Sequence, residues 1–98
     1  MQFYARVYRA QSEVVVAACD RSVHGKTFEE GNLVLRVTKE FYGSELVGED
    51  EISSLLARAT IANLVGEDII AHAIKIGIIE PQNVLKVEGV PHAQMVRM

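Results

Sequence analysis

The feature that most constrains this chain of 98 residues is a pentapeptide written twice, Leu46-Val47-Gly48-Glu49-Asp50 and Leu64-Val65-Gly66-Glu67-Asp68. The likeness continues in register, with Ile52, Leu55, Leu56 and Ala59 matching Ile70, Ala73, Ile74 and Gly77. Each unit reads as a glycine turn, two acids, then apolar residues at i, i+3 and i+4. Acids in a first turn face the positive end of the helix dipole, and that apolar spacing draws one stripe along a helix. The repeat therefore predicts two amphipathic helices with a short connection, stacked on one face of a sheet built from the rest. Two units do not make a solenoid, which needs about three or more.

Composition limits the function classes. An apolar fraction of 49% and a charged fraction of 23% describe one globular domain over residues 1–98, with little room for a buried cofactor, so none is expected. Ten basic and 13 acidic residues give a net charge of −3, which disfavours binding nucleic acid mainly by neutralising phosphates. The single cysteine, Cys19, excludes an internal disulfide and suits a reducing compartment. No charged leader precedes an apolar run, and no apolar stretch reaches membrane-spanning length, so a cytoplasmic protein is expected.

Alternation marks the strands. Phe3, Ala5 and Val7 point one way from Gln2–Ala10 while Tyr4, Arg6 and Tyr8 point the other. The second set could stack a base, or pack against a neighbouring strand or subunit. Gln11-Ser12 turns the chain into the apolar run Glu13–Cys19, a strand covered on both faces and paired with the first as a hairpin. Asp20–Asn32 reads as loop, and Leu33–Thr38 as a third strand closed by Phe41-Tyr42-Gly43. Gly77 suits the left-handed position beyond a helix, with Ile78 folding back. Val84–Glu88 is a fourth strand. Val90–Val96 is the last, and Pro91 places it on a sheet edge.

Several motifs are weak. Gly25-Lys26-Thr27 ends like a phosphate-binding loop, but Asp20 occupies the required glycine position and a strand follows. It leaves a tight turn with Lys26 offered to an anion. A helix-turn-helix about Ala62 and Gly66 would present Glu67-Asp68 to phosphates, which repels them. Cys19, His24, His72 and His92 lack metal-ligand spacing, so no metal is expected. Cys19 reads as a packed thiol and His72 as a partly exposed surface residue.

Val90-Pro91-His92-Ala93-Gln94 carries the strongest functional signal. On a strand His92 and Gln94 share a face, setting an imidazole beside a carboxamide. Histidine can move a proton near neutral pH or hold a carbonyl. Asn63, read as lying between the two helices, is the natural partner, or else a helix cap.

The chain resembles the archaeal family of small proteins known as domain of unknown function 424. The likeness runs nearly end to end on Gly25-Lys26-Thr27-Phe28-Glu29-Glu30-Gly31, Phe41-Tyr42-Gly43, Thr60-Ile61-Ala62-Asn63-Leu64-Val65-Gly66 and Val90-Pro91-His92-Ala93-Gln94. The resemblance implies an archaeal cytosolic origin and no assigned activity. It puts Lys26, Tyr42, Asn63, His92 and Gln94 on the family's pattern, while His24 and Ser44 depart from an apolar residue and a second glycine.

These features predict an α+β domain, with an antiparallel or mixed sheet of about four to five strands and two helices on one face. Three functions are compatible. One is a non-enzymatic binding module in translation or RNA handling that uses Lys26, Tyr42, Asn63, His92 and Gln94. Another is a small enzyme with His92 as general acid or base. The third is a homo-oligomeric adaptor pairing through the edge strand Val90–Val96.

Overall fold

The computed structural model describes residues 1–97 and is α+β, as the patterning predicts. A six-stranded mixed sheet has the order β5-β1-β2-β6-β8-β7, built from β1 (Gln2–Ala10), β2 (Glu13–Asp20), β5 (Leu46–Gly48), β6 (Ile61–Val65), β7 (Leu85–Val87) and β8 (Val90–Val96). β3 (Thr27–Glu30) and β4 (Leu33–Arg36) form a separate two-stranded sheet. The helices are α1 (Lys39–Tyr42), α2 (Glu49–Arg58) and α3 (Glu67–Lys75). Among the described residues no helix is long and apolar enough to cross a membrane.

The β1–β2 hairpin forms as expected, with Ala10 opposite Glu13 across Gln11-Ser12. Val16, Ala17, Ala18 and Cys19 are wholly buried, because both faces of β2 are covered. Phe3, Ala5, Val16, Ala18, Ala62 and Leu64 face α2 and α3, whose Ile52, Leu56, Ile69, Ile70 and Ala73 complete that core. Ala17, Cys19 and Val65 face the other way, under Val23, Leu35, Val37 and Tyr42. α2 and α3 each turn the predicted apolar stripe to the core, so the stabilisation is mainly apolar area removed from water.

The repeated pentapeptide is a strand-to-helix turn, not the start of a helical hairpin. Leu46–Gly48 is β5 and leads into α2; Leu64-Val65 ends β6 and leads into α3. Residues 61–65 form a strand because side chains of both parities are buried: Ala62 and Leu64 against the helices, Val65 on the opposite face. β6 runs parallel to β2, pairing Val15 to Cys19 with Ile61 to Val65. Asn63 is therefore a strand residue in mid-sheet and not a junction between helices.

Asp20–Asn32 contains a 3₁₀ turn at Arg21–Val23 and the strand β3, closed onto β4 through Gly31-Asn32. The strand expected over Leu33–Thr38 stops at Arg36, and Thr38 caps α1 by accepting the Phe41 N–H. Past α3, Gly77 has φ +81°, and Ile78 N–H returns to the Ala73 carbonyl at 2.8 Å, as expected.

β8 is not an edge strand along its whole length. β6 pairs with Val96 to His92 on one side and β7 with Val90 to His92 on the other. Pro91 is tolerated because its carbonyl accepts the Gly66 N–H, so its nitrogen faces the point where β6 has already turned into α3. No ladder bond is lost there. The outward backbone groups of Gln94 and Val96 lie beyond the end of β7.

Candidate functional site

Three side chains from three elements meet on the sheet face opposite α2 and α3. Asn63 lies on central β6, and the ladder sets it between Ala17 of β2 and Gln94 of β8. His92 lies one ladder step away, opposite Val65. Tyr42, at the end of α1, buries its ring over Cys19 and Val65. Its O–H donates to Asn63 Oδ1 at 2.8 Å. His92 Nε2 lies 3.0 Å from the same oxygen. An amide oxygen has two lone pairs, so Asn63 Oδ1 is saturated when Nε2 carries the proton. That tautomer leaves His92 Nδ1 as an acceptor.

Asn63 Nδ2 and His92 Nδ1 make no hydrogen bond among the described residues, and there no wholly buried side-chain nitrogen or oxygen lacks a partner, so neither atom is wholly buried. Burial holds His92 below the ordinary imidazole range, which keeps the ring neutral at pH 7. Burial, and then nearby Cys19, pushes the Tyr42 phenol above its usual range. Burial, and then Asp20, pushes the Cys19 thiol up to about 12. Neither phenolate nor thiolate is therefore supplied near neutral pH.

The structure brings Tyr42, Asn63 and His92 into direct contact and sets exposed Gln94 beside them on the same face. It does not bring in Lys26. That residue is exposed in the turn before β3, where its backbone bonds Val23 and Val37. The aromatic–basic–aromatic face of β1 is engaged internally. Tyr4 stacks on His24 at 3.7 Å between ring centroids, and Tyr8 on Phe41 at 5.6 Å. Arg6 sits over the Tyr8 ring and donates to the Glu40 carbonyl. His24 also lies 2.7 Å from the Gly43 carbonyl oxygen, so this departure from an apolar residue is absorbed by packing.

Sequence reasoning missed a second polar constellation. His72 is partly exposed, as expected, but it is engaged: its side chain is 11% exposed, Nε2 lies 2.7 Å from Ser53 Oγ, and Nδ1 lies 3.8 Å from Glu49. Glu49 and Ser53 are four apart on α2, which was the available signal. The order imitates a nucleophile, base and acid. Yet Ser53 is the fifth residue of α2, where its own and the following N–H groups are spent on helical bonds and are not free to serve as oxyanion donors. The contact clamps α2 to α3. Among the described residues no three His, Cys, Asp or Glu side chains are grouped to hold a metal.

The architecture and this cluster define a small α+β protein with a hydrogen-bonded polar cluster on a sheet face. The chain belongs to the DUF424 family, described as a protein of unknown function, whose model matches residues 8–98. It is similar in fold to an uncharacterized conserved protein from the archaeon Methanopyrus kandleri, known from a crystal structure. The TM-score is 0.78 at 19% identity, over 100% of this chain and 96% of that one. No curated protein matches the sequence.

Proposed function

We propose that this protein is a cytoplasmic binding module that reads a planar hydrogen-bonding group, with an unstacked base of single-stranded RNA as the first candidate. One observation carries the reading: Asn63 Oδ1 is held by both Tyr42 and His92. The amide is thereby fixed with Nδ2 left to donate, on the same sheet face as His92, whose Nδ1 is left to accept, and the carboxamide of Gln94. Such a row of donor, acceptor and adjustable amide complements the edge of a base, and it works without a basic surface. The net charge of −3 is compatible with that mode and not with phosphate-dominated binding.

An enzyme using His92 as general base is the second reading, favoured by the neutral ring with an open Nδ1. It lacks a carboxylate partner for the imidazole and an ionised nucleophile beside it. Fluorescence anisotropy of labelled single-stranded RNA of mixed sequence separates the two. The binding reading expects Asn63→Ala and Gln94→Ala each to weaken association about 5- to 30-fold, with a salt slope below about 2. No association up to about 1 mM, which corresponds to a binding free energy of about −4 kcal/mol, overturns it for RNA.

A further inference from the structure

The outer edge of β1 is only half used. Ala10 and Glu13 close the two-residue hairpin, so the backbone groups of Arg6, Tyr8 and Ala10 point at β2. Ala5 N–H points the opposite way and is taken by the Glu45 carbonyl at 3.2 Å. Val7 and Arg9 share the parity of Ala5, so their N–H and C=O groups also point outward. β5 pairs only with Gln2 to Tyr4, which leaves those four groups without a strand partner.

A groove of about 760 Å³ runs along this edge between the α1 and α2 sides of the sheet. Ala5, Val7, Val47 and Leu55 supply its apolar surface, Glu40, Glu45 and Glu51 its acids, and Arg6 and Lys39 its cations. A strand laid there continues the sheet in line with β5. Its inward side chains fall on Val7 and Leu55 beside Glu51, so the groove selects an extended segment that delivers a cation next to an apolar residue.

We propose that the occupant is β1 of a second copy of this chain, paired antiparallel about a two-fold axis at Tyr8. Val7 then faces Arg9 of the second copy, and Arg9 faces its Val7. All four outward groups on each copy are satisfied, by four hydrogen bonds between the chains. Other registers fail on physical grounds. A slip of one residue presents groups that already point at β2. A slip of two in one direction sets Arg9 against Arg9, and in the other direction competes with Glu45 for Ala5. In the favoured register Arg9, exposed in the single chain, enters the groove on the Val7 and Leu55 side, near Glu51 of the second copy. The other open edge, at Gln94 and Val96, has no such charge to complement.

Pairing of this kind joins the sheets into one continuous surface with both Asn63 clusters on the same side. They are five strand spacings apart, roughly 24 Å at about 4.8 Å each. On the binding reading above, a dimer would therefore offer two recognition patches to one extended ligand.

Light scattering on the size-fractionated full chain, from about 1 to 500 μM, tests the pairing, a range chosen to span micromolar affinities. The expected result is a shift from 10.8 kDa to twice that mass. Arg9→Glu should weaken the dimer by about tenfold or more, and Arg9→Glu with Glu51→Arg should restore it. Val96→Lys, on the other edge, should leave it unchanged. Arg9 and Glu51 are exposed, so circular dichroism should show an intact fold in each variant. A monomer at every concentration, a dimer indifferent to Arg9→Glu, or a charge swap without rescue overturns the proposal.

Discussion

Asp20 Oδ1, at the end of β2, accepts the backbone N–H of Ile69 in the first turn of α3 at 2.8 Å, across 49 residues of sequence. Oδ2 takes the Asp68 N–H at 2.9 Å. The N-cap position itself is Gly66, which has no side chain to offer, so a neighbouring strand supplies the cap. Gly66 is needed for this: its φ is +125°, and a Cβ there would collide with the Asp20 carboxylate. Gly66→Ala should destabilise the fold by about 2–4 kcal/mol, through backbone strain and overpacking together. Asp20→Ala should cost about 1–3 kcal/mol by leaving two helix N–H groups without acceptors. Urea denaturation of both variants measures this.

Asp20 also predicts a pH dependence. Burial raises its pKa above the ordinary aspartate value, with Asp68 and Glu67 adding to the rise and the two N–H bonds opposing it. The folded state therefore holds this proton more tightly than the unfolded chain. Burying the charged form costs stability at neutral pH, and that cost fades as pH falls through the raised value toward about 3.9. The stability of the natural protein relative to Asp20→Asn should rise as pH is lowered from about 7 to about 4.

His92 acts in the opposite sense. Burial depresses its pKa, so the fold favours the neutral ring. The resulting stabilisation is complete above about 6.5 and is lost as pH falls through the lower folded value. His92→Gln keeps a donor for Asn63 but cannot titrate. The stability difference between the natural protein and this variant should shrink between about pH 7.5 and about pH 5, as read by thermal melts.

Asn63→Asp sets a carboxylate where the amide oxygen meets His92 and Tyr42. An anion at hydrogen-bond distance favours imidazolium, so the His92 pKa should climb above about 6.5 in an NMR titration of the ring proton. An unchanged value would separate His92 from Asn63.

Cys19 should be chemically silent in the fold. Its thiol is wholly buried and its pKa is pushed up to about 12. A thiol reagent at pH 8 should label it only as fast as the chain opens, and at once in denaturant.

Much of the polar cluster was legible because strand alternation is a local rule. Val90–Val96 is the strand that pattern predicts, and alternation alone puts His92 and Gln94 on one face. The pattern also points to Asn63 as the partner, but places it between two helices and not on a strand. The run Ile61 to Val65 is short and apolar, and its place between two helix starts made it look like a connection. Only its parallel pairing to β2, 46 residues away, makes it a strand, and local pattern carries no trace of such a partner. Sequence separation likewise hid the Asp20 cap, 48 and 49 residues from its two donors, and the His72–Ser53 contact across 19. Pro91 misled because the ladder rule concerns its nitrogen, and which side that nitrogen faces depends on where β6 ends.

The most direct test of the recognition patch is a titration of ¹⁵N-labelled protein with single-stranded RNA of mixed sequence, followed at the side-chain amide signals of Asn63 and Gln94. The account predicts that both shift together, along with the His92 ring protons, while the Lys26 backbone amide stays still. Shifts confined to Lys26 and the β3–β4 turn, with Asn63 and Gln94 unmoved, would contradict it.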